Sequence, residues 1–431
     1  MSPLGVIVAI VLVDLLGFSV VMPLLGPFAQ EYGFADWQIG LLFSAYPLCQ
    51  LVAGPILGRL SDRYGRRPVL VASQAGTALS FLILGLSHDF PTMLLARMLD
   101  GASGGNILVA QAYVADVTPP EHRARGLGLI GMAFGVGFVL GPLLAGVVVS
   151  LPMPAEWRLR LPFLIGAGFS TLALILVIAK LPESRTGRRE ASRVVSWHGL
   201  VETVAHPRIA SLVSLGFLAV FAFAALEATF SLFLLARFQW GPAQAAFAFA
   251  YLGLMSAVVQ GGLIRRLVPR FGERKLIVAG LGALAVGLAA LAGATNVAAL
   301  LGATLIVAVG QGLANPSISG LLSRSTPPGE QGAVFGTLSS AQTLARMVSY
   351  SVANLAFARV GTAAPFLGGA AVAGVSLGLA LGVARRQVAV EKAAEVGGVG
   401  IEVSGQNDAD GVGPGDQNAD GLDHRLGADA Q

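Results

Sequence analysis

The chain has 431 residues, of which 55% are hydrophobic and only 12% charged, with a mean hydropathy of +0.73. Soluble domains carry roughly 25% charged residues, so a soluble enzyme, a nucleic-acid binder with a basic face and a disordered polymer are excluded as readings of the main body. The formal net charge of +4 arises from 28 Lys and Arg against 24 Asp and Glu, and the placement of those residues carries more than their sum.

Apolar runs of about 20 residues, enough to cross a hydrocarbon core as a helix, recur from the N-terminus to near position 385. Lipid offers no partner to an open sheet edge, so the predicted fold is all-α. Splitting the runs at charged or Pro/Gly breaks gives twelve transmembrane helices, spans 1 to 12, at 4–27, 38–57, 68–87, 92–115, 124–150, 161–180, 209–235, 243–263, 274–293, 296–321, 332–358 and 364–384. The first run carries Asp14 and lacks a basic leader or small-residue cleavage pattern, so it is expected to stay as a helix. Cys49, the one cysteine, lies in span 2. It is expected to be an inert thiol, with no disulfide, no metal site and no cofactor.

The loops after even-numbered spans, with the stub after span 12, hold twenty of the Lys and Arg residues; the opposite loops hold only Arg158, Arg160, Arg237 and Arg359. Basic residues favour the cytoplasmic side, which places both termini inside. The short connections point to a bacterial inner membrane.

The polar stretch 181–208 is then a central cytoplasmic loop between two six-helix bundles, 1–180 and 209–385. GRLSDRYGRRP at 58–68, between spans 2 and 3, returns in damaged form as RRLVPRFGERK at 265–275, between spans 8 and 9. An internal duplication explains the coincidence, and parallel repeats of this kind place a transporter's substrate site between the halves. Residues 386–431, rich in Gly, Asp and Asn, read as a disordered tail. DQNADG at 416–421 matches the start of a calcium loop, but Gly427 stands where the bidentate glutamate belongs, which favours a solvated segment.

Asp14, Arg97, Asp100, Glu227 and Arg346 lie within spans. Each costs about 2.5–3.5 kcal/mol at the bilayer centre, so pairing or a cavity is expected. Asp14 and Asp100 fall near the midplane, with Arg97 one turn from Asp100 on the same helix face. Burial favours a neutral acid and a nearby guanidinium a charged one. Either acid suits proton exchange, against the alternatives of a static Arg97–Asp100 pair and a packing hydrogen bond at Asp14. Glu227 either attracts a cationic substrate or pairs with Arg346. Gln50, Asn106, Gln111 and Tyr113 add polar groups to spans 2 and 4. Phe217, Phe221, Phe223, Phe230 and Phe233 crowd span 7, mostly as packing, some as the wall of an apolar ligand pocket.

Gly58 and Gly65 are read as relieving a tight reversal, and the arginines of the same loop as meeting anionic headgroups or neighbouring carboxylates. In span 5, Gly131 and Gly135, then Gly137 and Gly141, are four apart, which favours close helix approach, and Pro142 invites a kink. The five histidines fall in loops or the tail, so no catalytic constellation is expected and the chain is not read as an enzyme.

Gly58, Leu60, Asp62, Arg63, Gly65, Arg66 and Arg67 together resemble the loop 2–3 signature of the major facilitator superfamily. ARMLDGASGG, through Arg97 and Gly101, looks like its proton-driven helix-4 motif, and GVGFVLGPLLAG, through Gly137, Gly141 and Pro142, resembles its antiporter motif. LVDLLGFSVVMPLL, AYVADVTPPEHRARG and LPESR are similar to the drug/proton antiporter branch near the tetracycline efflux proteins. Ser80 departs from that branch, standing where tetracycline exporters carry an aspartate. The second-half loop has Pro269 in place of Asp62, and span 11 has Ser349 and Tyr350 where a Gly-Pro pair is absent.

The resemblance implies the major facilitator fold, with alternating access by two pseudo-symmetric bundles. It also implies a gate of Asp62 facing span 11 and Arg66 pairing with Asp116, and a cavity lined by spans 2 and 4. The expected activity is proton-coupled efflux of amphiphilic drugs or toxic metabolites by a monomer. The alternative is a symporter or facilitator importing a small organic solute.

Overall fold

The computed structural model describes residues 2–119, 122–184, 206–327 and 330–398, and among them no residue is in a strand. Span 1 is Pro3–Glu31, span 2 Asp36–Tyr64, span 3 Arg66–Leu86, span 5 Arg123–Ser150, span 6 Leu161–Lys180 and span 7 Pro207–Phe238. Span 10 is Val297–Arg324, span 11 Gln331–Arg359 and span 12 Ala364–Gly398. Nine described helices are long and apolar enough to cross a membrane, one of them the 51-residue segment Pro242–Ala292. That segment is spans 8 and 9 joined: it contains a π-helical turn, Val259–Leu263, and reverses at Gly272, where φ is 75°. Span 4 is outside the nine because it is cut into Phe90–Ser103 and Asn106–Val117, and span 11 because Ser, Gln, Thr and Asn dilute its hydropathy. With those, twelve crossings stand, as the sequence predicts.

The signature stretch 58–68 is almost wholly helical. Span 2 runs to Tyr64 and span 3 starts at Arg66, so the chain reverses over Gly65 alone, at φ 101° and ψ 159°. Gly272 repeats this in the second half at φ 75° and ψ 158°. Gly58, expected to share the reversal, is helical with nothing within 4 Å of where a Cβ would stand. The new start is capped by Glu183, whose carboxylate accepts from the Arg66 backbone N–H at 2.9 Å and from that of Arg67 at 3.1 Å. A carboxylate there meets the positive end of the helix dipole as well as two orphan donors.

The apolar cores divide the molecule along the membrane normal. One cluster holds Val20 to Ala29, Phe43 and Phe163 of the first half together with Ala222 to Leu234, Phe249 and Phe366 of the second. All of it lies in the half of each span furthest from the arginine-rich loops. At the basic end there are two clusters instead, one built on Val6 to Leu15, Val109 to Val114 and Val177, the other on Ile209 to Ala219, Ile318 and Val334. The apolar core is therefore shared by the two halves at one end and split in two at the basic end, the end at which a cleft between the halves would open.

Prolines account for two of the joints. Pro27 has no N–H for the carbonyl four residues back; that carbonyl, of Pro23, accepts instead from Ser231 Oγ of span 7 at 2.7 Å. Pro142 likewise frees the carbonyl of Phe138, against which Gly253 of span 8 is pressed so closely that no Cβ fits. Span 2 meets span 11 through Ser44, which donates to the Met347 carbonyl and shares a hydrogen bond with Ser351, both at 2.8 Å.

Residues 386–398, expected as the start of the tail, are helical within Ala364–Gly398. Gln387, Glu391, Lys392 and several alanines are good helix formers. The described residues up to Ala384 form one compact unit, and those from Arg385 on fall outside it. Most of the central loop, 185–205, and DQNADG lie outside the described residues.

Two measurements test this reading. In Gly65→Ala a methyl group would lie 2.8 Å from Glu183 Cδ at a φ of 101°, where an L-residue costs about 1–2 kcal/mol; its thermal midpoint in detergent should fall, whereas that of Gly58→Ala should hold or rise. Asp89 caps span 4, accepting from the Thr92 N–H at 3.0 Å, and that hydrogen bond holds its carboxyl below the ordinary carboxylate range. A depressed folded-state value means the contribution is present above the unfolded value and lost as pH falls through the folded one. Asp89→Ala should therefore lower the midpoint at neutral pH, with the gap to the parent closing once the pH drops below the carboxylate range.

Candidate functional site

The break in span 4 organises the first-half site. Gly104 and Gly105 interrupt the helix after Ser103, and the carbonyls released there find donors in other spans. Ser73 Oγ of span 3 donates to the Ser103 carbonyl, and Gln50 Nε2 of span 2 to that of Gly104 at 3.1 Å. Glycine is required by contact: a Cβ on Gly101 would strike the Tyr46 carbonyl, and one on Gly104 would lie 2.8 Å from the Tyr46 hydroxyl. Discontinuous helices at the midplane are where transporters expose polar backbone to a site.

On one side of the break stand Arg97 and Asp100, both buried, with Arg97 Nη1 2.6 Å from Asp100 Oδ2. The guanidinium is also held by the Leu42 carbonyl at 3.4 Å and lies 5.0 Å from the centre of the Tyr46 ring. On the other side Asn106 opens the second helix, and its Nδ2 donates to Asp14 Oδ2 at 2.5 Å. Asp14 Oδ1 is buried and has no hydrogen-bond partner among the described residues. Gln74 of span 3 and Ser170 of span 6 stand beside this carboxyl, and Asp14 makes no ion pair among the described residues. The two acids thus sit close together in opposite surroundings, one neutralised by an arginine and one met only by neutral groups. Ser80, on the wall of span 3, stands beside Asp100.

In the second half, Glu227 and Arg346 do pair, at 3.6 Å through Arg346 Nε, and Tyr350 donates its hydroxyl to the same Glu227 oxygen at 3.0 Å. The glutamate side chain is 9% exposed and the arginine 36%, so Glu227 lies behind its partners and Arg346 in front. Gln50 is half-buried and Gln111 exposed, whereas Tyr113, grouped with them from the sequence, is in the first-half core with its hydroxyl on the Pro182 carbonyl at 3.0 Å.

At the basic end Arg66 gathers three groups: Asp62 at 2.8 Å, Asp116 at 3.0 Å and the Ser61 hydroxyl at 2.6 Å. Arg63 points away from this cluster, exposed over the Tyr64 ring, and Arg67 Nη2 donates to the Ile178 carbonyl at 2.6 Å. The damaged copy keeps an ion pair in the equivalent place with its signs reversed: Glu273, at the position of Arg66, meets Arg324 at the end of span 10 at 3.2 Å. Neither Glu273 nor the anchoring Glu183 is legible as a partner from sequence spacing alone. In span 5, Gly137 and Gly141 lie against Leu15 and Ser19 of span 1, with Ser19 Oγ donating to the Gly137 carbonyl at 2.8 Å. Gly131 and Gly135, expected to pack in the same way, have nothing within 4 Å.

A family model described as Major Facilitator Superfamily matches residues 7–271 and 262–402. The chain is 31% identical over 350 residues to the class C tetracycline resistance protein of Escherichia coli, which covers 80% of this chain and 86% of that protein. Among solved structures it is similar to the human organic anion transporter MFSD10 (TETRAN), with a TM-score of 0.67, 27% identity, and 88% of this chain and 98% of that one covered. It also shares the fold of a bacterial homolog of the human lysosomal transporter Spinster, with a TM-score of 0.75 at 16% identity, covering 89% of this chain and 96% of that one. The chain is thus a multi-pass membrane transporter that belongs to the Major Facilitator Superfamily.

Proposed function

We propose that this transporter exports amphiphilic small molecules from the cytoplasm in exchange for protons, and that Asp14 carries the proton. The observation behind this reading is the contrast between the two midplane acids. Asp100 already has a counter-charge 2.6 Å away. Asp14 is buried beside a neutral amide with one oxygen unpartnered, so in a low dielectric it is the group with most to gain from a proton and most to lose without one. Its polar surround is drawn from spans 1, 3, 4 and 6, so a change in its charge bears on the packing of the whole first bundle.

The rest of the cycle follows from the cleft. With the arginine-rich loops on the cytoplasmic face, the cleft opens inward and receives substrate from the cytoplasm or inner leaflet. Rocking of the bundles 1–180 and 209–385, joined by the loop 181–208, then closes the basic end, where Asp62, Arg66 and Asp116 form the gate. A carboxylate at a helix N-terminus is worth about 0.3–1 kcal/mol, enough to bias two states and weak enough to break in each cycle. Gly137, Gly141 and Pro142 seal span 5 against spans 1 and 8. One relative is named for tetracycline resistance and one structural relative for organic anion transport, and Ser80 argues for a substrate other than tetracycline. The monomer contains every part of this scheme, and a bacterial inner membrane supplies its proton gradient.

The test is substrate-induced proton movement in energised everted vesicles, run with a panel of amphiphiles on the parent, Asp14→Asn and Asp100→Asn. Asp14→Asn should fold as the parent does and abolish proton release. Asp100→Asn leaves Arg97 buried and unpaired, which costs about 3–5 kcal/mol, so its main effect should be a lowered thermal midpoint. Full proton release by Asp14→Asn would remove that residue from the proposal, and solute uptake down its gradient without proton movement would replace export with facilitation.

A further inference from the structure

The charge at the front of the second-half site is positive. Arg346 offers five N–H donors in a planar fork, and Glu227 meets it at Nε, at 3.6 Å. Among the described residues no hydrogen bond reaches either Nη nitrogen, and the side chain is 36% exposed. Arg97, the other intramembrane arginine, shows the opposite state: it is fully buried, with its guanidinium against Asp100, the Leu42 carbonyl and the Tyr46 ring.

The exposure of Arg346 is towards the cleft and not towards lipid. Span 11 carries an exposed apolar stripe of Leu344, Val348, Val352 and Leu355, and at about 100° per residue Arg346 stands roughly opposite to it. Its own face carries Gln342, which donates to Asn315 at 3.1 Å, and Tyr350. On the neighbouring span 2, Tyr46 lies within its electrostatic reach. Tyr46 in turn ends an aromatic strip, packed against Phe18 at 5.2 Å between ring centres, with Phe138 6.3 Å further and Phe134 stacked on it at 6.5 Å. An open guanidinium fork beside an aromatic wall fits a planar anionic head on an apolar body.

We propose that Arg346 is the substrate-recognition residue of this transporter and that it selects amphiphilic carboxylates. The substrate carboxylate takes the open Nη edge of the guanidinium, its apolar body lies along the Tyr46–Phe18–Phe138 strip, and Glu227 serves as the internal counter-ion that holds Arg346 in place between cycles. Glu227 is accordingly not a lure for cations: it is shielded by Tyr350 and Arg346, and a cationic ligand would meet the guanidinium first. This deepens the export reading by naming the class of molecule exported, and it rests on that reading only for the direction of movement.

The experiment is equilibrium binding to the purified full chain in detergent, without any gradient, using three probes of one shape: 2-naphthoate, 2-naphthamide and 2-naphthylmethylammonium. The parent should bind naphthoate at least ten-fold more tightly than the amide, and the ammonium more weakly still. Arg346→Gln should bring naphthoate down to the level of the amide while leaving amide binding within two-fold of the parent. Arg346→Lys keeps the charge, loses the fork and should retain only part of the preference. Glu227→Gln, which removes the internal competitor and leaves a partner for Tyr350, should tighten naphthoate binding.

A parent that prefers the ammonium, shows no preference or binds none of the three overturns the proposal, as does a naphthoate preference that survives Arg346→Gln. Because no gradient is present, these outcomes are independent of proton coupling. Carboxylate binding at Arg346 without proton release in vesicles would overturn antiport and leave this inference standing; proton release driven only by cations would do the reverse.

Discussion

In a bilayer every backbone carbonyl needs a donor from within the protein, and the architecture of this chain follows from the places where a helix cannot supply one. Proline and glycine create those places. The Pro23 carbonyl, released by Pro27, turns to Ser231 and ties span 1 to span 7. The carbonyls of Ser103 and Gly104, released by the break in span 4, turn to Ser73 and Gln50 and tie spans 3 and 2 to the midplane. The Phe138 carbonyl, released by Pro142, has the bare backbone of Gly253 laid against it. Each disruption of one helix is thus answered by another, and together they fix which spans touch and at what depth.

The same rule places the charges. A helix that is broken at the midplane brings Asn106 to the start of a new helix, where its side chain is free to reach Asp14, ninety-two residues away in sequence. One turn before the break, Arg97 and Asp100 neutralise each other. The first bundle therefore holds a closed ion pair and an open acid side by side, and the second holds Glu227 closed behind Arg346, whose outer edge is open. In the scheme proposed above, the open acid of one bundle would answer to protons and the open arginine edge of the other to cargo.

Much of this is legible in the sequence. Length and hydropathy delivered the twelve crossings because each span must bury its backbone for about 30 Å, whatever it packs against. The repeat of the signature stretch located the two halves, and the rarity of charge within the spans marked Asp14, Arg97, Asp100, Glu227 and Arg346. Partners were harder. The Arg97–Asp100 pair lies within one helix turn and can be read by spacing, but Asp14–Asn106 and Glu183 on the start of span 3 join distant spans, and nothing in a single sequence encodes which distant spans meet. Span 4 looks continuous because glycine counts as apolar enough to cross a membrane, whereas at the break the Tyr46 hydroxyl and the Leu57 side chain stand where side chains on Gly104 and Gly105 would be. Tyr113 looked like a cavity residue for a related reason: its hydroxyl is polar, but it is spent on the Pro182 carbonyl.

The reversed ion pair at the basic end bears on how the chain assembles. Spans 3 and 4 hold the places in the first half that spans 9 and 10 hold in the second, and a duplicated protein risks pairing a helix with the wrong copy of its neighbour. Here Arg66 belongs with Asp116 and Glu273 with Arg324. Exchange the copies, and arginine faces arginine while glutamate faces aspartate. Opposite polarity in the two halves sets like charges against each other in a mismatched pairing, so the divergence of the second loop disfavours the exchange of helices between halves.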